Sequence, residues 1–93
     1  MKLQQLRYFV EIVRQNLNLS QAAEMLHTSQ PGVSKQIQLF EEELGAALFV
    51  RHGKRLVALT PLGQQILPFA HHMLQTSANI KSATQEVLDE SQG

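Results

Sequence analysis

The chain has 93 residues, of which 43% are hydrophobic and 17% are charged, and it contains no cysteine. This composition predicts one small globular unit with a modest core, and it excludes a disulfide framework and thiolate metal sites. No apolar run approaches the ~20 residues that a membrane span needs, and the first residues show no signal-peptide pattern. We therefore expect a cytoplasmic protein without a membrane partner.

The formal net charge is zero, but the charges are distributed unevenly along the chain. Between residues 46 and 85 there are four lysine or arginine residues and no acid. Six of the eight acids flank this stretch, at residues 41–43 and in the tail at Glu86, Asp89 and Glu90. A neutral total therefore does not exclude a polyanionic partner for the basic part.

Residues 3 to 16 have the spacing of an amphipathic helix. Five apolar residues recur at intervals of three or four: Leu3, Leu6, Val10, Val13 and Leu17. Polar residues mostly fall outside this stripe: Gln4, Gln5, Arg7, Glu11 and Arg14. The pattern predicts a first helix that buries one face.

A second, shorter helix is predicted after Asn18, because Asn18 and Gln21 have the spacing of a capping box. Its inner positions are Leu19, Ala22, Ala23 and Leu26. The two adjacent alanines would let another helix cross closely. His27 and Thr28 then interrupt the apolar pattern in a tight turn, so the sequence predicts a helix-turn-helix.

The third predicted helix covers residues 29–44. Ser29 can cap it, and Pro31 fits a first turn, where its missing N–H is not needed. One narrow apolar stripe faces a core: Val33, Ile37, Phe40 and Leu44. The opposite face carries short hydrogen-bonding groups, one cation and no acid: Pro31, Ser34, Lys35 and Gln38. Such a face can read base edges, although these residues are also ordinary on a solvated surface.

Three acids, Glu41 to Glu43, close this helix with negative charge that would repel phosphates. Only the N-terminal half can therefore approach a polyanion, and we expect the helix to enter a groove by its N-terminus.

Residues 48–51 and 55–59 read as two short strands around a turn that contains Gly53. The tip holds four potentially cationic groups without a compensating acid: Arg51, His52, Lys54 and Arg55. A basic turn can serve solubility alone. Directly after a helix-turn-helix, it favours a wing that lies along a phosphate backbone.

Thr60 and Pro61 predict the start of a last helix, in which Pro68 should bend the helix or delay its start. Its seam has coiled-coil spacing: Ile66, Ala70, Met73, Ser77, Ile80, Thr84 and Val87. Up to Leu88 the helix could reach roughly 40 Å, whereas a chain of this size has a radius of gyration of about 12 Å. A helix folded back on the core accounts for residues 62–70 but not for the far end.

Taken together, these segments resemble the N-terminal domain of LysR-type transcriptional regulators. The matching pieces are Leu3-x-x-Leu6-x-Tyr8-Phe9, Ala22-Ala23-x-x-Leu26-His27-x-Ser29-Gln30-Pro31, Ser34-Lys35-Gln36-Ile37, Leu44-Gly45-x-x-Leu48-Phe49-x-Arg51 and Leu59-Thr60-x-x-Gly63. The segments most similar to the CysB branch, which regulates cysteine biosynthesis and sulfur assimilation, are residues 2–8, 17–20, 28–32 and 53–54.

The chain departs from the common family pattern at three positions. Gly32 and Leu62 stand where alanine is usual, and Lys35 stands where arginine is frequent. Gly32 would loosen the helix start by up to about 1 kcal/mol, and Lys35 lacks the bidentate fork of arginine.

The resemblance implies a mainly α fold: a winged helix-turn-helix of three helices and a two-stranded β-hairpin in residues 1–59, followed by a linker and dimerisation helix in residues 60–93. It implies promoter DNA with an imperfect inverted repeat as the partner, a homodimer through the linker helix, and a tetramer and an effector-binding domain in complete proteins. The implied DNA-binding residues are Thr28, Ser29, Gln30, Pro31, Ser34, Lys35, Gln38, Arg51, Lys54 and Arg55. The implied dimerisation residues are Ile66, Ala70, Met73, Ser77, Ile80 and Val87.

An enzyme is the second class of interpretation, and the sequence argues against it. The adjacent His71 and His72 would diverge by 100° on a helix, and Asp89, the only aspartate, lies in the polar tail. We find no metal spacing, phosphate loop or nucleophile-base pairing, and expect no cofactor. The alternative is a winged helix that only contacts proteins, which titration with random-sequence duplex at low salt would separate from a DNA binder.

Overall fold

The fold is mainly α-helical with one antiparallel hairpin, as predicted. A computed structural model describes residues 1–92. The elements in chain order are α1 (Leu3–Arg14), α2 (Leu19–Met25), α3 (Gln30–Leu44), β1 (Phe49–His52), β2 (Arg55–Leu59) and α4 (Pro61–Gln92). Helix α1 ends earlier than predicted because Asn16 and Leu17 adopt left-handed φ angles of 56° and 65°.

The core lies where α1, α2 and α3 meet the hairpin. Phe9 is at its centre, with its ring 6.5 Å from that of Phe40 and 5.5 Å from that of Phe49, both in edge-to-face geometry. Ala22 and Ala23 of α2 are buried as predicted, so α2 packs closely on its neighbours. These contacts fix the orientation of α3 relative to the hairpin.

Two polar residues of α1 are buried, contrary to the prediction that they lie outside. The side chain of Gln5 accepts a hydrogen bond from the backbone N–H of Lys2 at 2.9 Å. The carboxylate of Glu11 accepts from Arg14 at 3.3 Å and from Gln15 at 2.9 Å. Local hydrogen bonds therefore offset the cost of burying both groups.

The sequence predicts that Leu44 faces the core, but Leu44 is 37% exposed and does not belong to the core. Helix α3 ends at this residue, and Gly45 follows in the left-handed conformation with a φ of 79°. The last turn of α3 consequently projects beyond the buried part of the stripe.

Helix α4 begins at Pro61, so Pro68 does not delay its start. The Thr60 hydroxyl accepts from the N–H of Gly63 at 3.0 Å and donates to the carbonyl of Ala47 at 2.7 Å. Gly63 is buried, and a Cβ placed there would lie 2.3 Å from the carbonyl oxygen of Leu48. Glycine is therefore required for α4 to pack this closely against the chain before β1.

The far half of α4 extends away from the core. The described residues measure 56 × 25 × 21 Å, and their radius of gyration of 15.5 Å exceeds the value of about 12 Å expected for a compact chain of this length. Within residues 1–92, no helix combines the length and hydrophobicity needed to cross a membrane.

Candidate nucleic-acid interface

The N-terminal half of α3 presents its polar face to solvent. The hydroxyl of Ser29 accepts a hydrogen bond from the N–H of Gly32 at 3.1 Å, which confirms the predicted cap. Val33, Ile37 and Phe40 are at most 1% exposed, and their burial fixes the rotation of the helix. On the outer side, Ser34 is half-buried and four residues are exposed: Gln30, Pro31, Lys35 and Gln38.

Two residues of this face are linked to each other. The amide nitrogen of Gln30 donates a hydrogen bond to the hydroxyl of Ser34 at 2.9 Å. The Gln30 side chain is thereby held along the helix, with its oxygen and its second amide hydrogen still available. An acceptor and a donor on one amide form the pair that adenine requires in the major groove.

The outer face of α3 and the hairpin tip line one groove of about 450 Å³. We call it the α3–wing groove. Its polar and glycine lining residues are Gln30, Ser34, Lys35, Gln38, Arg51, Gly53 and Lys54. The fold thus brings together residues that the sequence assigned separately to base reading and to phosphate contact.

The hairpin tip is a two-residue turn in which Gly53 has a φ of 62°. His52 pairs with Arg55 and Arg51 with Leu56, after which Val57 forms an irregularity in the register. All four potentially cationic residues of the predicted tip are exposed at or beside this turn.

Arg51 does have a compensating acid, which corrects the sequence prediction. Its Nη2 lies 3.4 Å from Oε1 of Glu41, a residue on α3 ten positions earlier. The other carboxylate oxygen of Glu41 accepts from the backbone N–H of Leu48 at 2.6 Å. Glu41 is therefore a structural group between α3 and β1, and not only part of an acidic surface.

A second groove, of about 330 Å³, adjoins the hairpin tip, and sequence reasoning missed it. Asn16 and Asn18 of the α1–α2 turn lie there beside Lys54 and Arg55, together with Ser20 in the first turn of α2. The sequence predicts Asn18 only as a helix cap, a role that its 2.9 Å bond from the N–H of Gln21 confirms. The signal available in the sequence was the run of short polar side chains between two helices, which Thr28 and Ser29 repeat before α3.

The six predicted dimerisation residues fall into two groups. Ala70 is 1% exposed, and Ile66 packs partly against the core, so both side chains already pack within this chain. Met73, Ile80 and Val87 are 45%, 63% and 61% exposed, while Ser77 is half-buried. A largely apolar groove of about 470 Å³ runs along this part of α4.

No group of three or more side chains in residues 1–92 is arranged to hold a metal ion.

Residues 3–64 match the family described as "bacterial regulatory helix-turn-helix protein, lysR family". The HTH-type transcriptional regulator CysB of Haemophilus influenzae is 50% identical over 86 residues, which are 92% of this chain and 27% of that protein. The regulator SsuR of Burkholderia cenocepacia is 44% identical over 93 residues, all of this chain and 30% of that protein. The chain thus spans less than a third of the length of these relatives.

The fold is also similar to solved structures. The crystal structure of the BenM_DBD/benA site 1 DNA complex has a TM-score of 0.85 and 36% identity, and covers 94% of this chain and 96% of that one. Full-length OxyR C199D from Pseudomonas aeruginosa has a TM-score of 0.86 and 35% identity, and covers 92% of this chain and 28% of that one.

Proposed function

We propose that this chain, which belongs to the LysR family of bacterial regulatory helix-turn-helix proteins, reads double-stranded promoter DNA with α3 in the major groove. The observation that carries the proposal is the α3–wing groove, where a polar helix face and a basic hairpin tip share one surface. The similarity to the BenM_DBD/benA site 1 DNA complex supports the same assignment.

Helix α3 enters the groove by its N-terminal half. Gln30, Ser34 and Lys35 contact base edges, with Pro31, Gln38, Thr28 and Ser29 close to them at the entry of the helix. Each good base contact contributes about 1–3 kcal/mol of discrimination. The acidic C-terminal turn stays away from the phosphates because like charges repel.

The hairpin tip supplies electrostatic contacts. Arg51, Lys54 and Arg55 lie along the phosphate backbone or reach into the minor groove, where they fix the position of the domain without reading sequence. Two copies pair through the exposed seam of α4, and the dimer spans an imperfect inverted repeat.

The similarity to CysB and SsuR supports a narrower biological role. In that role the chain is the DNA-binding part of a cytoplasmic regulator that controls genes of sulfur assimilation and cysteine biosynthesis. In the complete protein it would assemble further into a tetramer.

The test starts from a library of random-sequence duplexes, from which the chain selects its preferred site. Dissociation constants are then measured for the selected and a scrambled duplex. Ser34→Ala and Lys35→Ala should each weaken binding to the selected duplex by about 5- to 150-fold and affect the scrambled duplex much less. Arg7→Ala is the matched control, because Arg7 is an exposed cation that lines neither groove.

Equal losses on both duplexes would remove Ser34 and Lys35 from base reading. Failure to bind any duplex at low salt would refute DNA binding itself and favour a module that contacts only proteins.

A further inference from the structure

Glu41 joins the reading helix to the wing through one carboxylate. Its Oε2 accepts hydrogen bonds from the backbone N–H groups of Leu48 at 2.6 Å and Phe49 at 3.4 Å. Leu48 and Phe49 are at most 2% exposed, so these two donors are fixed in the core. The Glu41 side chain is itself only 14% exposed.

The two oxygens of this carboxylate have separable roles. Oε2 accepts a hydrogen bond from the buried N–H of Leu48, just before β1, and without Oε2 this N–H would lose its acceptor. Oε1 contacts Arg51, whose side chain is 39% exposed and lines the α3–wing groove. One oxygen thus serves the fold, while the other holds a side chain at the candidate DNA surface.

The contact between Glu41 and Arg51 is weak enough for Arg51 to exchange it for another anionic partner. It is a single contact at 3.4 Å, and the guanidinium remains accessible to solvent. Such a partly exposed pair changes an equilibrium constant by only about two- to five-fold. A phosphate oxygen offers Arg51 a second anionic partner of the same chemistry, with bidentate geometry.

We propose that Glu41 is a positioning residue of the DNA interface that competes with phosphate for Arg51. In the free chain it holds Arg51 in the groove, and on binding Arg51 exchanges the carboxylate for the DNA backbone. Glu41 therefore limits the affinity for any duplex, whatever its sequence. This inference rests on the proposed function, because it requires that Arg51 faces DNA.

Glu41→Gln separates the two roles. The amide oxygen can still accept from the N–H of Leu48, whereas the amide N–H₂ cannot pair with the Arg51 guanidinium. We expect Glu41→Gln to bind a labelled random-sequence duplex about two- to five-fold more tightly per domain at low salt. A residue that only supported the fold would lower affinity when substituted, so a gain is diagnostic.

Two further variants test whether the gain in duplex affinity comes from the release of Arg51. Glu42→Gln removes the same charge one residue along, from an exposed side chain with no polar contact in residues 1–92, and it measures the general effect of charge. In an Arg51→Ala background the gain from Glu41→Gln should disappear. A gain that persists without Arg51, or that Glu42→Gln matches, would overturn the proposal, as would unchanged or reduced affinity in a folded variant.

A measurement on the unsubstituted chain covers the case in which Glu41→Gln does not fold. The NMR signals of the Arg51 guanidinium and the Glu41 carboxyl carbon should both shift when the random-sequence duplex is added. A shift of Arg51 alone would show that the pair is retained and would contradict the exchange. If the unsubstituted chain binds no duplex, the proposed function fails, whereas binding without these effects refutes only the role of Glu41.

Discussion

Replacing Met73 and Ile80 of α4 with glutamate should convert the proposed dimer into monomers without unfolding the helix-turn-helix. Both side chains are large, apolar and about half exposed, at 45% and 63%. Burying a fully exposed methionine or isoleucine contributes about 1.5–3 kcal/mol. Scaled by their exposure, the four side chains of a two-fold interface contribute about 3–6 kcal/mol, or roughly 10²–10⁴ in the dimer constant.

DNA binding should fall by a comparable factor. One domain brings few cations to DNA, and such a surface typically gives a dissociation constant of about 10⁻⁴–10⁻⁶ M. Pairing makes the second contact intramolecular, which raises overall affinity by about 10²–10⁴. The double variant should therefore bind a full inverted repeat about as weakly as a half-site.

Analytical ultracentrifugation gives the mass of the double variant, circular dichroism its folding, and a duplex titration its affinity. Gln75→Glu with Ser82→Glu is the matched control, because the 100° rotation per residue places both on the opposite side of α4. A double variant that stays dimeric would place the interface elsewhere. A native chain that is monomeric at tens of micromolar yet binds the full repeat tightly would refute the link between pairing and affinity.

Two other substitutions test the wing and the packing of α4. Lys54→Ala should weaken binding to selected and scrambled duplexes alike. It should also make the slope of log K against log salt shallower by about 0.9 for each phosphate that is no longer neutralised. An unchanged slope would place Lys54 away from the phosphate backbone. Gly63→Ala should lower the free energy of unfolding by about 1–3 kcal/mol, seen in urea denaturation, because its Cβ would meet the Leu48 carbonyl at 2.3 Å. Gly32→Ala is the control, since a Cβ at residue 32 meets only side-chain oxygens, the nearer being Ser29 Oγ at 3.0 Å. If the two variants had the same free energy of unfolding, the Gly63 contact would be contradicted.

The helices and their caps could be predicted from the sequence because they depend on neighbouring residues. Ser29 caps α3 through a donor three residues away, and Thr60 caps α4 in the same way. The burial of Val33, Ile37 and Phe40 follows from their spacing of three and four. The polar face of α3 was predictable for the same reason, since it is what remains when the apolar stripe is buried.

What could not be predicted depends on residues that only the fold brings together. The sequence presents Glu41 only as a repelling charge, because nothing in its neighbourhood along the chain shows that the turn at Gly45 returns β1 to its carboxylate. The approach of Asn16 and Ser20 to the hairpin tip is likewise set by how α1 packs on the rest. Burial of Glu11 was missed for a different reason, since its partners Arg14 and Gln15 are close along the chain, but Arg14 is predicted to face solvent.

A small bend at Pro68 would be amplified along the remaining length of α4. Proline has no N–H, so the carbonyl of Gln64 lacks its helical donor, two residues before the buried Ala70. From Pro68 to Gln92 the helix runs on for about 36 Å at ~1.5 Å per residue. A change in bend of about 10° at this proline would move the far end by roughly 6 Å. At about 3.4 Å per base pair, that displacement corresponds to nearly two steps of a duplex, so a small angular change at Pro68 would become a change in the spacing that the two domains of the proposed dimer can span.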